Sequence, residues 1–539
     1  MRDSGRDPAL APRDMARLRQ QMSRGATRRD VMRMLTASGM TIAAAGMLAT
    51  RATRAHAAAP QRGGDLRVAG SSSSTSETLD PARFGKGTDY ARGFMIYNGL
   101  TRLDGDLAPQ PELATSWDSA DGRVWVFKLR SGVTFHDGRP FTAEDAVWSV
   151  LRHNDPETAS RARAYTGAIA EAVASGPLEL TVTLSEPNYD LPVIFGTFNL
   201  MIVPAGTTDF SRGIGTGPYR LTEFEPGVRS VAVRNENYWK DGLQHVDTIE
   251  YFGLPDESSR LNALRAGEIH LTTGINPRSS KLIERDRGIE LFVTRSGTFS
   301  DLYMQKTDAT VGSEDFAAGI KALLPRDVIR SSIYRDFAEI GNDQPIAPSM
   351  KYFDDGLAPS GHDPEKAVYH LKKAGVMGQA IPLVASAGVG NTLDMALILQ
   401  QAAQEAGLQI DVQRVPVDGY WSNVWMKRPF GFGTITQRPT ADMIFSLCYK
   451  SDGPYNSSKW QDPKFDQLLL AARSERDETV RAQHYADMQA LVRDGAGTAI
   501  PVFFSNIDAH SAALKGLEPI PTGNMMGYAF AENVWLDPA

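Results

Sequence analysis

Phe127-Lys128-Leu129-Arg130-Ser131-Gly132-Val133-Thr134-Phe135-His136-Asp137-Gly138-Arg139-Pro140-Phe141-Thr142-Ala143-Glu144-Asp145-Ala146-Val147 is the stretch on which the fold turns. It begins inside Val124-Trp125-Val126-Phe127-Lys128-Leu129, whose near period-two alternation predicts a half-buried strand. Asp137-Gly138 is a turn dipeptide, so Phe135-His136-Asp137-Gly138 reads as a hairpin tip in preference to a His-Asp catalytic pair. Thr142 then stands three residues before Asp145, a capping-box arrangement in which the hydroxyl takes an orphan N–H of a starting helix. Ala146, Val147, Val150 and Leu151 fall on one face of that helix. Strand, turn and helix in succession predict an α/β protein.

The texture extends both ways. Asp65-Leu66-Arg67-Val68-Ala69 is a short strand ahead of a Ser-rich loop from Ser71 to Ser76, and Leu178 to Leu184 and Val228 to Val233 alternate again. Beyond about Arg278 helices prevail, with Asp327 to Phe337, Pro364 to Ala374, Lys464 to Arg473 and Val480 to Val492 expected helical and Ala499 to Phe504 an apolar strand. Strand Ile381 to Ala385, helix Leu393 to Ala406 and strand Gln409 to Val415 make a β-α-β unit of the doubly wound kind.

The chain has 539 residues, 42% of them hydrophobic, enough for several cores. Its 57 Lys+Arg against 64 Asp+Glu leave no basic footprint for nucleic acid, and its one cysteine, Cys448, cannot form an intramolecular disulfide. Residues 1–57 read as a removable leader: Thr27-Arg28-Arg29-Asp30-Val31-Met32 resembles a twin-arginine signal, a mild apolar run follows from Met34 to Ala49, and Ala55-His56-Ala57 supplies a small-residue cleavage site. No cysteine lies near that site, so the expectation is a periplasmic protein cut near Ala57 and not a lipoprotein. The leader holds eleven Arg and four acidic residues, so the remaining chain carries 46 basic against 60 acidic residues, a formal charge of −14.

Catalytic signatures are missing. There is no H-E-x-x-H, C-x-x-C, Walker A or G-x-S-x-G, and no His pair is spaced for zinc, so neither catalytic residues, metal ligands nor a cofactor are assigned. Gly213-Ile214-Gly215-Thr216-Gly217-Pro218-Tyr219 is glycine-rich, but Pro218 and a strand-like run follow, which favours a tight turn over a phosphate loop. Tyr420, Trp421 and Trp425 cannot share one helix face, and they read either as a core anchor with a partly exposed ring or as the wall of a ligand cleft. The strand from Gly431 leaves into a loop at Arg438 and Pro439, the carboxyl end at which open α/β sheets hold ligands.

Together these segments resemble family 5 of the extracellular solute-binding proteins of ABC transporters, the dipeptide-, oligopeptide- and nickel-binding group. The resemblance runs from about Gly64 to the C-terminus. It rests on the opening stretch, on Tyr97-Asn98-Gly99-Leu100-Thr101-Arg102-Leu103, and on Pro109-Gln110-Pro111-Glu112-Leu113-Ala114-Thr115-Ser116-Trp117. Gly215-Thr216-Gly217-Pro218-Tyr219, Asn237-Tyr238-Trp239 and Leu264-Arg265-Ala266-Gly267-Glu268-Ile269 add to it. It implies a periplasmic binding protein type II-like, two-lobe α/β fold with an extra β-rich domain, the three-domain cluster C arrangement. Residues 58–94, 215–285 and 500–539 would form lobe one, 95–214 the extra domain and 286–499 lobe two. The implied function is capture of a peptide or peptide-like solute between the lobes by a monomer, with delivery to a membrane permease and its ATPase.

One departure from the family bears on the ligand. Peptide-binding members carry an Asp after the cleft strand that pairs with the ligand's ammonium, and counting back from Phe445 that position falls on Arg438. A guanidinium suits a carboxylate or another anion. Asp442 is then expected to receive a cation or to hold Arg438. The expected ligand carries an anionic group: a peptide in another register, an opine-like amino acid conjugate or a similar small nitrogenous solute. Two alternatives stand beside this: a secreted peptide or amide hydrolase with a triad assembled in space, and a metal-chelate or haem carrier of the same fold.

Overall fold

The computed structural model describes residues 60–537 of the chain. The leader proposed for residues 1–57 lies outside them. Residues 63–536 form one compact unit organised on a mixed sheet of twelve strands. At one end Ala380–Ala385 and Gln409–Arg414 run parallel, in register from Ala380 opposite Gln409, with helix Thr392–Glu405 as the crossover between them. At the other end Asp65–Gly70 lies between Thr248–Gly253 and Leu271–Thr272, parallel to both. Two antiparallel strands, Ile289–Met304 and Val502–Ser511, join the ends, with a register shift between Thr294 and Thr298.

Local chemistry explains where expectation and structure part. The helix expected from Asp327 to Phe337 ends early, as Arg326–Ser332, because Arg335 and Asp336 take left-handed backbone conformations that turn the chain into strand Ala338–Ile340. The strand expected from Ala499 to Phe504 is divided at Ile500 and Pro501. Thr498–Ala499 pairs with Ile289–Met304, and Val502–Ser511 continues beyond Phe504.

A second, four-stranded antiparallel sheet orders Ala114–Asp118, Val124–Leu129, Glu179–Leu184 and Ile169–Gly176, and helix Ala143–Leu151 packs on it. The alternation read from Val124 to Leu129 places Trp125, Phe127 and Leu129 in its core with Leu180 and Val182. Asp145 Oδ2 accepts from Thr142 N at 2.8 Å and from Thr142 Oγ1 at 3.0 Å, while Oδ1 accepts from Ala205 N at 2.9 Å. The cap therefore also fixes a distant loop.

The hairpin tip at His136 docks on the glycine-rich run. His136 N donates to Gly215 O at 2.8 Å, and its Nε2 lies 3.0 Å from Gly217 O. Burial holds the His136 imidazole below its ordinary pKa. A Cβ on Gly215 or Gly217 would run into the backbone of Ile96, so the close approach of these two segments requires glycine. The run is a packing turn, as its Pro218 suggested.

Candidate functional site

A cavity of about 700 Å³ opens between segments that are far apart in sequence. Helix Gly87–Ile96 contributes Tyr90 and Phe94, the loop after residue 159 gives Ser160 and Arg161, the short helix Arg163–Thr166 gives Tyr165, and Phe198 adds another ring. The chain leaving strand Phe430–Ile435 supplies Thr436, Gln437 and Arg438, with Tyr455 nearby and Tyr528 from the C-terminal segment. Aromatic rings meet closely here: Tyr90 lies 3.8 Å from Phe198 and 5.3 Å from Tyr528, centroid to centroid. Flat rings with hydroxyl rims provide rigid, half-polar walls suited to a small organic solute.

Arg438 stands where strand-end reasoning put it. Its Nε donates to Tyr165 Oη at 3.1 Å, and Nη1 donates to Thr436 O at 2.9 Å and Thr436 Oγ1 at 2.5 Å. Among the described residues no carboxylate pairs with it, and Nη2 carries no hydrogen bond, so a permanently charged fork keeps donors for a ligand.

The other expected site residues are arranged differently. Asp442 does not hold Arg438 and does not line the cavity. It is buried with Arg473, whose Nε and Nη2 lie 3.0 and 3.3 Å from its two oxygens. Thr440, the N-cap of helix Ala441–Cys448, starts a turn that carries the Asp442 side chain away from Arg438, into a buried cluster with the Arg481–Asp190 pair. Tyr420 is also buried and outside the lining, its hydroxyl donating to Phe432 O at 2.8 Å. Tyr420–Val424 is a short π-helical turn, which sends successive rings apart. Trp421 is 48% exposed, and it stacks edge-on with Trp425, which in turn meets Tyr455 at 5.2 Å. Of this aromatic pile only Tyr455 reaches the cavity, so the tryptophans back its wall.

Three features escaped sequence reading. Glu112 and Glu532, both in the lining, share Lys240 Nζ at 2.7 and 2.8 Å, and burial pushes the Glu112 carboxyl up to about 7 against the pull of Lys240. Arg161 lines the cavity without a carboxylate partner among the described residues. Ser160 Oγ lies 2.7 Å from His153 Nδ1, a contact that resembles part of a hydrolytic triad. The resemblance is incomplete. Asp80, the nearby carboxylate, is held by both terminal nitrogens of Arg152, and Ser160 Oγ accepts from Ala162 N at 3.0 Å as a turn cap. Burial lowers His153 to about 4. No group of three or more His, Cys, Asp or Glu that could hold a metal occurs among the described residues. Nor is any helix among them long and apolar enough to cross a membrane.

Comparison with known proteins defines the class. Residues 108–455 match the family described as bacterial extracellular solute-binding proteins, family 5 middle, and the chain belongs to that family. It is 24% identical over 474 residues to the glutathione-binding protein GsiB of Escherichia coli O6:K15:H31, covering 84% of this chain and 92% of that one. It is equally identical over 464 residues to di/tripeptide-binding protein 2 of Pseudomonas aeruginosa, covering 78% and 86%. The fold is that of the periplasmic binding protein DppA of Helicobacter pylori, solved with the peptide STSA, at a TM-score of 0.76 and 22% identity over 89% of this chain and 99% of that one. AgaA of A. tumefacien R10, solved with agropinic acid, matches at a TM-score of 0.76 and 20% identity over 88% and 99%.

Proposed function

We propose that the chain is the solute receptor of an ABC importer, acting in the periplasm after twin-arginine export and cleavage near Ala57. A monomer captures a peptide or peptide-like solute with an anionic group and presents it to the membrane permease, which an ATPase powers. In this reading residues 58–94, 215–285 and 500–539 form one lobe, 286–499 the other and 95–214 the extra domain, and the lobes close on the ligand about a hinge. Arg438 receives the anion, with Tyr455 as a flat wall backed by Trp421 and Trp425. The single observation that carries the reading is an aromatic-walled cavity of about 700 Å³ with an unpaired guanidinium, Arg438, in a family 5 chain.

Isothermal titration with the solute released from the purified protein tests it. Arg438→Ala should weaken binding by about 3–5 kcal/mol, the usual consequence of breaking a buried ion pair on one side, and undiminished binding would remove Arg438 from the site. The Ser160–His153 contact favours one second reading, a peptide hydrolase. Turnover of a labelled peptide panel that is lost in Ser160→Ala would establish that activity and displace the receptor reading; peptides returned intact support the receptor.

A further inference from the structure

Arg161 and Arg438 come from segments 277 positions apart and line the same cavity. Arg438 Nε donates to Tyr165 Oη at 3.1 Å, and Tyr165 sits on the turn that follows Arg161, its N donating to Ala162 O at 2.8 Å, so the Arg161 turn lies beside Arg438. The Tyr90 ring lines the cavity too, and burial raises its phenol to about 12 while Arg438 and Arg161 pull it down. Neither Arg has a carboxylate partner among the described residues. The cavity's own acids are engaged elsewhere: Glu112 and Glu532 hold Lys240, and Arg102 Nε lies 3.8 Å from Glu112. Asp89, which also acts on Tyr90, accepts from Gly85 N at 3.1 Å and from Thr78 N at 3.3 Å.

Arg161 is exposed, and its guanidinium lies close against Gly85. A Cβ on Gly85 would stand 2.8 Å from its Nε and Cζ and 3.0 Å from Nη2, so the guanidinium lies against bare backbone where any side chain would push it away. Arg161 keeps its whole fork free of protein hydrogen bonds among the described residues. Arg438, tied by Nε and Nη1, keeps Nη2. Two cations without carboxylate partners on one cavity lining offer more positive charge than a monoanion neutralises.

We infer that Arg161 and Arg438 form a clamp for a doubly negative head group on the solute. This deepens the receptor reading and rests on it. The shared chemistry is two negative charges at one end, whether two carboxylates or one phosphate monoester. Arg161 takes the head with two parallel donors and Arg438 adds a third through Nη2.

The test uses the full-length exported protein, freed of solute by unfolding and refolding, and isothermal titration with Ala-Glu, its monoamide analogue Ala-Gln, and O-phosphoserine. Ala-Glu or O-phosphoserine should bind roughly 10- to 100-fold tighter than Ala-Gln, the usual effect of one charged hydrogen-bonded contact. Whichever of the two binds tighter identifies the head as dicarboxylate or phosphate. Arg161→Gln should abolish the preference, and Gly85→Ala should reduce it by displacing the guanidinium while leaving its charge in place. Equal affinity for Ala-Glu, O-phosphoserine and Ala-Gln overturns the clamp and leaves the receptor reading standing. Failure of every probe also overturns the clamp, and mass spectrometry of the solute released at unfolding then judges the receptor reading separately.

Discussion

Arg438 Nε donates to the Tyr165 hydroxyl at 3.1 Å, a bond between residues 273 positions apart that aims the guanidinium across the cavity. Tyr165→Phe keeps the ring and removes the acceptor. Affinity for the native solute should fall by about 1 kcal/mol, roughly fivefold, with thermal stability nearly unchanged. Wild-type affinity in calorimetry would show that Thr436 alone orients Arg438.

The pairs Asp442–Arg473 and Asp190–Arg481 bring together helices Ala441–Cys448, Pro463–Ser474 and Glu478–Gly495 and the turn at Asp190. Asp442→Ala leaves Arg473 buried without its carboxylate and should cost about 3–5 kcal/mol in urea unfolding. Asp442→Leu combined with Arg473→Met should cost clearly less, because no charge is then stranded. If the single and double variants are equally unstable, packing and not charge dominates at this site.

Asp301 is buried on strand Ile289–Met304, and burial pushes its carboxyl up to about 6 although Ser457 Oγ donates to Oδ2 at 3.0 Å. Between roughly pH 4 and 6 the folded chain therefore binds more protons at this group than the unfolded chain, whose Asp titrates near 3.9. Stability contributed here falls as pH rises through that window, and the loss is complete above it. Asp301→Asn should flatten this slope and gain of order 1–3 kcal/mol relative to the wild type at pH 7. Asp508, also pushed up to about 6 by burial, keeps the same sign of dependence in the variant. Unfolding curves at pH 4.5 and 7, about half a unit and three units above the free Asp value, measure the difference, and an unchanged slope counts against a raised Asp301.

Cys448 is buried at the end of helix Ala441–Cys448, and burial drives its thiol far above the usual range. A buried protonated thiol is a poor nucleophile. Ellman's reagent should find no reactive thiol in the native protein and one after denaturation. Rapid labelling of the native state would mean that this helix opens.

Much of the fold was legible because it rests on local rules. Alternation from Val124 to Leu129, the Thr142 cap and the β-α-β unit ending near Arg414 all specify structure from near neighbours, and each appears in the chain. Boundaries failed where a few residues override periodicity, as at Arg335-Asp336 and Pro501. Of the candidate site residues read from the sequence only Arg438 lines the cavity, at a strand end, a position that topology favours in an open α/β sheet. Asp442 could not be separated from it by spacing. Arg438 lies in the loop before the helix that begins at Ala441, whereas Asp442 is in that helix's first turn, and its partner Arg473 is 31 residues away.

By itself the sequence determined the family, the α/β texture and the presence of an Arg just beyond strand Phe430–Ile435, since these depend on residue identity and on contacts close along the chain. Tertiary structure alone decided which cations stay unpaired. Whether Arg161, Arg438, Lys240 or Arg473 faces a carboxylate depends on which distant segments the sheet brings together, and Coulomb interactions depend on distance in space, not on separation in sequence.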